Sequence, residues 1–155
     1  MEREILAMNE FSQILSDKLS EIYRNVTLLE ENALKEGNIP LTISEMHLIS
    51  FLSRCEKGII LSDIAEGMCI TRPSATVAVN KLVKKGYVIK EAGGKDGRVI
   101  HVKLSSEGKR VSILHRRCQR NVVAKLGNEF TDEQRVILLK AVDKLNCYFD
   151  KIVET

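Results

Sequence analysis

The sequence predicts a mostly α-helical fold carrying one small β ribbon, on three observations. Apolar residues recur at helical spacing over long stretches at both ends. Two capping-box patterns, Thr42 with Glu45 and Thr131 with Gln134, each open such a stretch. Near the middle, two strand-like runs, YVIKEA and VIHVKL, flank the tip GGKDGR (Gly93 to Arg98).

The first helix is predicted from about Glu4 to Lys35, with Ile5, Leu6, Ile14, Leu15, Leu19, Ile22, Tyr23, Val26, Leu29 and Ala33 on its apolar positions and Gly37 and Pro40 stopping it. Thr42 and Glu45 then satisfy each other's free backbone N–H groups at the start of a second helix, whose stripe is Met46, Ile49 and Leu52 and whose end is expected near Gly58. Ile59 to Leu61 suits one short strand, and Ser62 is the expected cap of a brief helix, DIAEGM. After a tight turn at Cys69–Ile70, Thr71 caps a helix with Pro73 in its first turn, where the missing N–H costs nothing, and Gly86 stops it. Beyond the ribbon, Ser105 caps a helix to about Leu126, and Thr131 with Gln134 opens the last one, to Val153.

At 155 residues and 44% hydrophobic composition the chain suits a single packed domain. No apolar run approaches the roughly 18 residues that span a bilayer, and MEREILAMNEFSQ opens on alternating charge rather than a basic signal region. A cytoplasmic protein without a membrane partner is expected. Cys55, Cys69, Cys118 and Cys147 form no C-x-x-C pair, which predicts reduced, mostly buried thiols. With three histidines and no G-x-S-x-G, glycine-rich phosphate loop or H-E-x-x-H, no catalytic residue and no cofactor is expected.

The net charge of +3 is unevenly spread: Arg72 to Arg120 holds 13 Lys/Arg against 3 Asp/Glu, leaving 11 against 18 elsewhere. A basic half joined to acidic ends points to a polyanion, because neutralising phosphates releases counterions and supplies affinity. The helix from Thr71 shows where. Ala75, Ala78, Val79 and Leu82 make its buried stripe, while Arg72, Ser74, Thr76, Val77, Asn80, Lys81 and Lys84 lie elsewhere around the cylinder. A short helix, a tight turn and a second helix with a polar outer face make a helix-turn-helix, and the ribbon that follows makes it a winged helix.

LSDIAEGMCITRPSATVAVNKLVKKGYV, including Leu82, Lys85 and Gly86 before the first wing strand, together with Asp96-Gly97-Arg98 and VKLSSEG, resembles the MarR family of bacterial transcription regulators over nearly the whole chain. The resemblance implies a homodimeric repressor with ligand-modulated affinity for a pseudo-palindromic duplex operator. Residues 41–105 would form the DNA-binding lobe, and residues 1–36 and 106–155 the dimerisation lobe. In such proteins the wing arginine, here Arg98, enters the minor groove; Asp96 would hold it or the wing backbone, and Lys95 would meet the sugar-phosphate chain. Ser74, Thr76, Val77, Asn80 and Lys81 are the major-groove candidates, with Arg72 and Lys84 on phosphates. Val77 departs from the polar residue many relatives carry, and its methyls suit a thymine methyl.

EMH (Glu45 to His47), LHRR (Leu114 to Arg117) and NVTLLEEN (Asn25 to Asn32) further resemble the branch that represses fatty-acid synthesis genes, whose corepressor is an acyl-acyl carrier protein. That implies Glu45, His47, His115, Arg116 and Arg117 as ligand-site candidates, with Arg120 as a further basic contact. Two other sensors remain open: a zinc site of His47, His115 and Cys118, and a thiol switch. A helical interaction module without DNA binding would keep the terminal helices but leave the basic half unexplained.

Overall fold

The structure, a computed structural model, describes residues 2–93 and 99–153; Lys95, Asp96 and Arg98 of the wing tip lie outside them. The described residues form α1 (Glu2–Glu36), α2 (Ile43–Leu52), α3 (Leu61–Gly67), α4 (Arg72–Lys84), β1 (Val88–Gly93), β2 (Val99–Leu104), α5 (Ser106–Asn128) and α6 (Asp132–Val153). The fold class expected from the sequence, mostly α with a small β wing, is the one observed. Two compact units divide the chain, Met1–His115 and Arg116–Thr155, with α5 running across the boundary.

In the first unit three helices end on the same paired closure. The Ile39 N–H donates to the Leu34 carbonyl (2.9 Å) and the Asn38 N–H to the Lys35 carbonyl (3.1 Å), with Asn38 at φ 49°. Ile70 and Cys69 close α3 in the same way onto Ala65 and Glu66, and Tyr87 and Gly86 close α4 onto Leu82 and Val83. The left-handed position is Asn38 in the first, Cys69 (φ 52°) in the second and Gly86 (φ 80°) in the third, so only the last escapes the steric cost of a Cβ.

Two expected boundaries are corrected. α2 stops at Leu52, capped by Ser53, instead of running to Gly58; the intervening residues form turns closed by Cys55 N–H to Leu52 and Gly58 N–H to Cys55 (each 3.0 Å). α3 begins at Leu61 with Ile60 as N-cap, and Ser62, expected to cap it, instead donates its hydroxyl to Asp63 Oδ1 (3.0 Å). The strand expected at Ile59 to Leu61 shrinks to a single bridge, in which Ile59 and Val102 exchange both backbone bonds. β1 and β2 pair antiparallel, Val88 opposite Leu104 and Lys90 opposite Val102.

The core collects Met46, Ile49 and Leu52 of α2, Ile64 of α3, Ala75, Val79 and Leu82 of α4, then Val88, Val102, Leu104 and Val111. The stripe expected on α4 is therefore the buried one, with Ala78 only partly covered. Each such aliphatic side chain contributes about 1.5–3 kcal/mol by leaving water, which fixes the roll of α4 and so the face it leaves outside. At the far end of α4, Ser105 ties three elements: its hydroxyl donates to the Gly86 carbonyl (2.6 Å) and accepts from the Gly108 N–H (3.1 Å), while its own N–H donates to Tyr87 (3.0 Å).

In the second unit, α6 opens on the expected box: Thr131 N–H donates to Gln134 Oε1 (2.9 Å) and Gln134 N–H to Thr131 Oγ1 (3.3 Å). Val136, Ile137, Leu139, Tyr148, Phe149 and Ile152 of α6 are exposed. No helix among the described residues is long and apolar enough to cross a membrane.

Candidate nucleic-acid interface

α3, the turn at Met68–Thr71 and α4 make a helix-turn-helix, and β1 leaves directly from the closure of α4. Thr71 caps α4 by accepting the Ser74 N–H (3.3 Å), and its hydroxyl lies 2.9 Å from that of Ser74. Thr76 donates its hydroxyl back to the Arg72 carbonyl (2.9 Å). Arg72, Ser74, Val77, Asn80, Lys81 and Lys84 are exposed, Val77 at 55%, while Thr76 is half-buried. No acidic residue stands in the first turn, and Lys81 and Lys84 occupy the last, so the outer face is a cationic, hydrogen-bonding surface.

Sequence reasoning missed Lys90. Its Nζ donates to Asn80 Oδ1 at 2.7 Å, joining the first wing strand to the outer face of α4. The signal was available in strand alternation: residues two apart on β1 share a face, so Lys90 follows buried Val88 toward α4.

The base of α4 is anchored by Lys85, whose Nζ donates to Glu45 Oε2 (2.7 Å) and to the Pro40 carbonyl (2.9 Å). Glu45 is buried and also accepts the Thr42 N–H (2.8 Å), completing the predicted capping box. Burial pushes the Glu45 carboxyl up, but the hydrogen bonds from Lys85 and Thr42 and the Lys85 charge outweigh it and hold the group below its ordinary value. A depressed folded value contributes stability above the unfolded carboxyl's range and loses it as pH falls through the folded one. Glu45→Gln is therefore expected to lower stability by about 1 kcal/mol at neutral pH and to flatten the acid limb. Urea midpoints for both proteins from about pH 7 to about pH 3 check this, and parallel curves would show that Glu45 does not set the slope.

Residues 39–99 match the MarR family model, a span that holds the end of the α1 closure, the helix-turn-helix and the start of β2. The crystal structure of Streptococcus pneumoniae FabT in complex with DNA superposes with a TM-score of 0.86 at 25% identity, covering 90% of this chain and 98% of that one. The chain is thus similar to the MarR family over residues 39–99. The HTH-type transcriptional regulator FarR of Neisseria gonorrhoeae is 34% identical over 79 residues, and the match spans about half of each protein, 50% of this chain and 51% of FarR. The S. aureus MepR–DNA complex shares the fold, with a TM-score of 0.71 at 16% identity over 86% of this chain and 96% of that one.

Outside the helix-turn-helix the ligand-site candidates separate. Glu45 is committed to Thr42 and Lys85. His47 and His115 share one carboxylate: His47 Nε2 lies 3.1 Å from Glu30 Oε2 and His115 Nε2 3.3 Å from Glu30 Oε1, while His115 Nδ1 meets the Ser50 hydroxyl at 3.1 Å. His115 is buried and His47 exposed, and Glu30 was not singled out in the sequence because 85 residues separate it from His115. Arg116, Arg117, Cys118 and Arg120 are exposed residues of α5 in the second unit. Among the described residues no three His, Cys, Asp or Glu side chains are grouped to hold a metal ion, so the zinc alternative of His47, His115 and Cys118 gains no support. The thiols also differ from expectation: Cys55 is half-buried, and Cys69, Cys118 and Cys147 are exposed.

Proposed function

We propose that the chain is a homodimeric transcriptional repressor that binds a pseudo-palindromic duplex operator, one α4 per half-site. The observation that carries the reading is the outer face of α4, where Arg72, Asn80, Lys81 and Lys84 stand exposed on a helix whose opposite side is locked into the core. The DNA named in the FabT and MepR structures supports it. Residues 41–105 act as the DNA-binding lobe. The exposed apolar residues of α1 (Ile14, Ile22, Val26, Leu29) and α6 (Ile137, Leu139, Phe149) support assigning residues 1–36 and 106–155 to a dimer, since one subunit leaves them in water. Lys95, Asp96 and Arg98 serve as the wing-tip contacts, on the sequence motif alone.

The proposal extends to fatty-acid synthesis genes, with an acyl-acyl carrier protein as the effector that shifts the separation of the two recognition helices. It rests on the Glu45–His47 and Leu114–Arg117 resemblances and on the 25% identity with FabT over 90% of this chain. The test is selection of bound fragments from the source genome at low salt. Enrichment of a two-fold site beside fatty-acid genes supports the whole reading, and no enriched fragment at all defeats it.

Val77 gives a narrower check. Its exposed methyls suit a thymine methyl, so Val77→Ser is expected to cost about 1 kcal/mol on operators with an A·T pair at the contacted step. Binding titrations on single-substitution operators read this, and an equal loss on every operator removes the thymine contact.

A further inference from the structure

The same reading, that α4 lies in a major groove, gives the Lys90–Asn80 hydrogen bond a consequence for base choice. A free asparagine reads adenine with both ends of its amide: the oxygen accepts from the 6-amino group while the nitrogen donates to N7. Asn80 does not have that oxygen to itself, because the Lys90 ammonium donates to Oδ1 at 2.7 Å. An ammonium has three donors and no acceptor, so the amide oxygen is the end it must hold and the amide nitrogen is the end turned away from it. The cation also disfavours the partly positive 6-amino hydrogens of adenine and favours an edge built only of acceptors. Guanine presents such an edge, N7 and O6 together.

Lys90 is held for this task. It stands on β1 opposite Val102 of β2, which is fully buried and bridged on its other side to Ile59, so β1 pairs with a strand that is itself fixed in the core. Asn80 lies one residue beyond buried Val79 on α4, so its backbone is fixed as well. Only the two side chains are free to move, and each restrains the other. Both are exposed, so the pair contributes little to stability and its effect falls on what the outer face presents.

We infer that Lys90 is a specificity-positioning residue, which turns Asn80 from a reader of adenine into a donor-only reader of guanine. The experiment is selection from a randomised operator library with the full-length wild type, Asn80→Ala, Lys90→Met and the double variant, followed by titrations on the sequences that differ. The wild type is expected to favour guanine at one step of each half-site, and Asn80→Ala to lose that preference. Lys90→Met is expected to shift the same step toward adenine by roughly 10-fold, within the discrimination of a bidentate amide contact. In the Asn80→Ala background, Lys90→Met should leave base preference unchanged, the non-additivity of residues that act as a pair. A uniform loss of affinity in Lys90→Met, with the base preference intact, would make Lys90 a phosphate ligand and overturn the inference. A wild type that selects no DNA would defeat the DNA-binding reading itself, a result distinct from the uniform loss.

Discussion

Gly108→Ala is expected to destabilise the protein by about 3 kcal/mol, although it replaces a helical glycine with the best helix former. Two effects compete. Alanine in α5 should gain roughly 1 kcal/mol from backbone propensity alone. Against this, a Cβ at Gly108 would stand 2.1 Å from the Tyr87 carbonyl oxygen and 3.1 Å from its carbonyl carbon, and backbone cannot rotate away as a side chain can. Overpacking against fixed atoms costs about 1–3 kcal/mol or more, and here the Tyr87 carbonyl also receives the Ser105 N–H, so moving it breaks a hydrogen bond as well. Gly127, in the same helix, is the contrast: nothing lies within 4 Å of the position its Cβ would take. Gly127→Ala should raise stability by about 0.5–1 kcal/mol. Urea unfolding at one fixed protein concentration compares the two, and effects of the same sign would refute the steric account.

The second large effect concerns the proposed interface. Replacing Arg72 and Lys84 together by alanine is expected to weaken operator binding on all sequences alike and to flatten its salt dependence. Each phosphate contact removed should lower the slope of log affinity against log salt by about 0.9, hence by roughly 2 for each bound protomer. Both side chains are exposed at opposite ends of α4 and outside the core, so the fold should change by less than about 0.5 kcal/mol. Fluorescence titrations across a salt series measure the slope. An unchanged slope would show that these two cations do not meet phosphate, and a loss confined to some operators would place them on bases.

Much of this was legible in local sequence signals. Capping boxes at Thr42 and Thr131 placed the starts of α2 and α6, because the reciprocal bonds need only residues three apart. The alternating faces of α4 followed from the spacing of Ala75, Val79 and Leu82. The misplaced end of α2 has a physical reason: Arg54, Glu56 and Lys57 are good helix formers, so nothing local announces that the chain turns at Ser53 and again at Gly58. Ser62 was misread because a side chain that suits a cap can satisfy a neighbouring carboxylate instead. In the site, the α4 face was visible and its partners were not. Glu30 with His115, and Lys85 with Glu45, are pairs made by tertiary packing across 85 and 40 residues, beyond any periodicity.

The Ser105 junction also bears on how a signal would travel. The Gly86 carbonyl and the Gly108 N–H meet at the Ser105 hydroxyl and the Tyr87 carbonyl at the Ser105 N–H, with no room for even a methyl group between Gly108 and Tyr87. Such a joint has no slack. An axial shift in the first turn of α5 would therefore press directly on the C-terminal end of α4, where Gly86 closes the helix. Compliance lies instead in the turns at Ser53–Gly58, whose backbone bonds are local (Cys55 N–H to Leu52, Gly58 N–H to Cys55), while the C-terminal end of α4 and the first turn of α5 stay coupled.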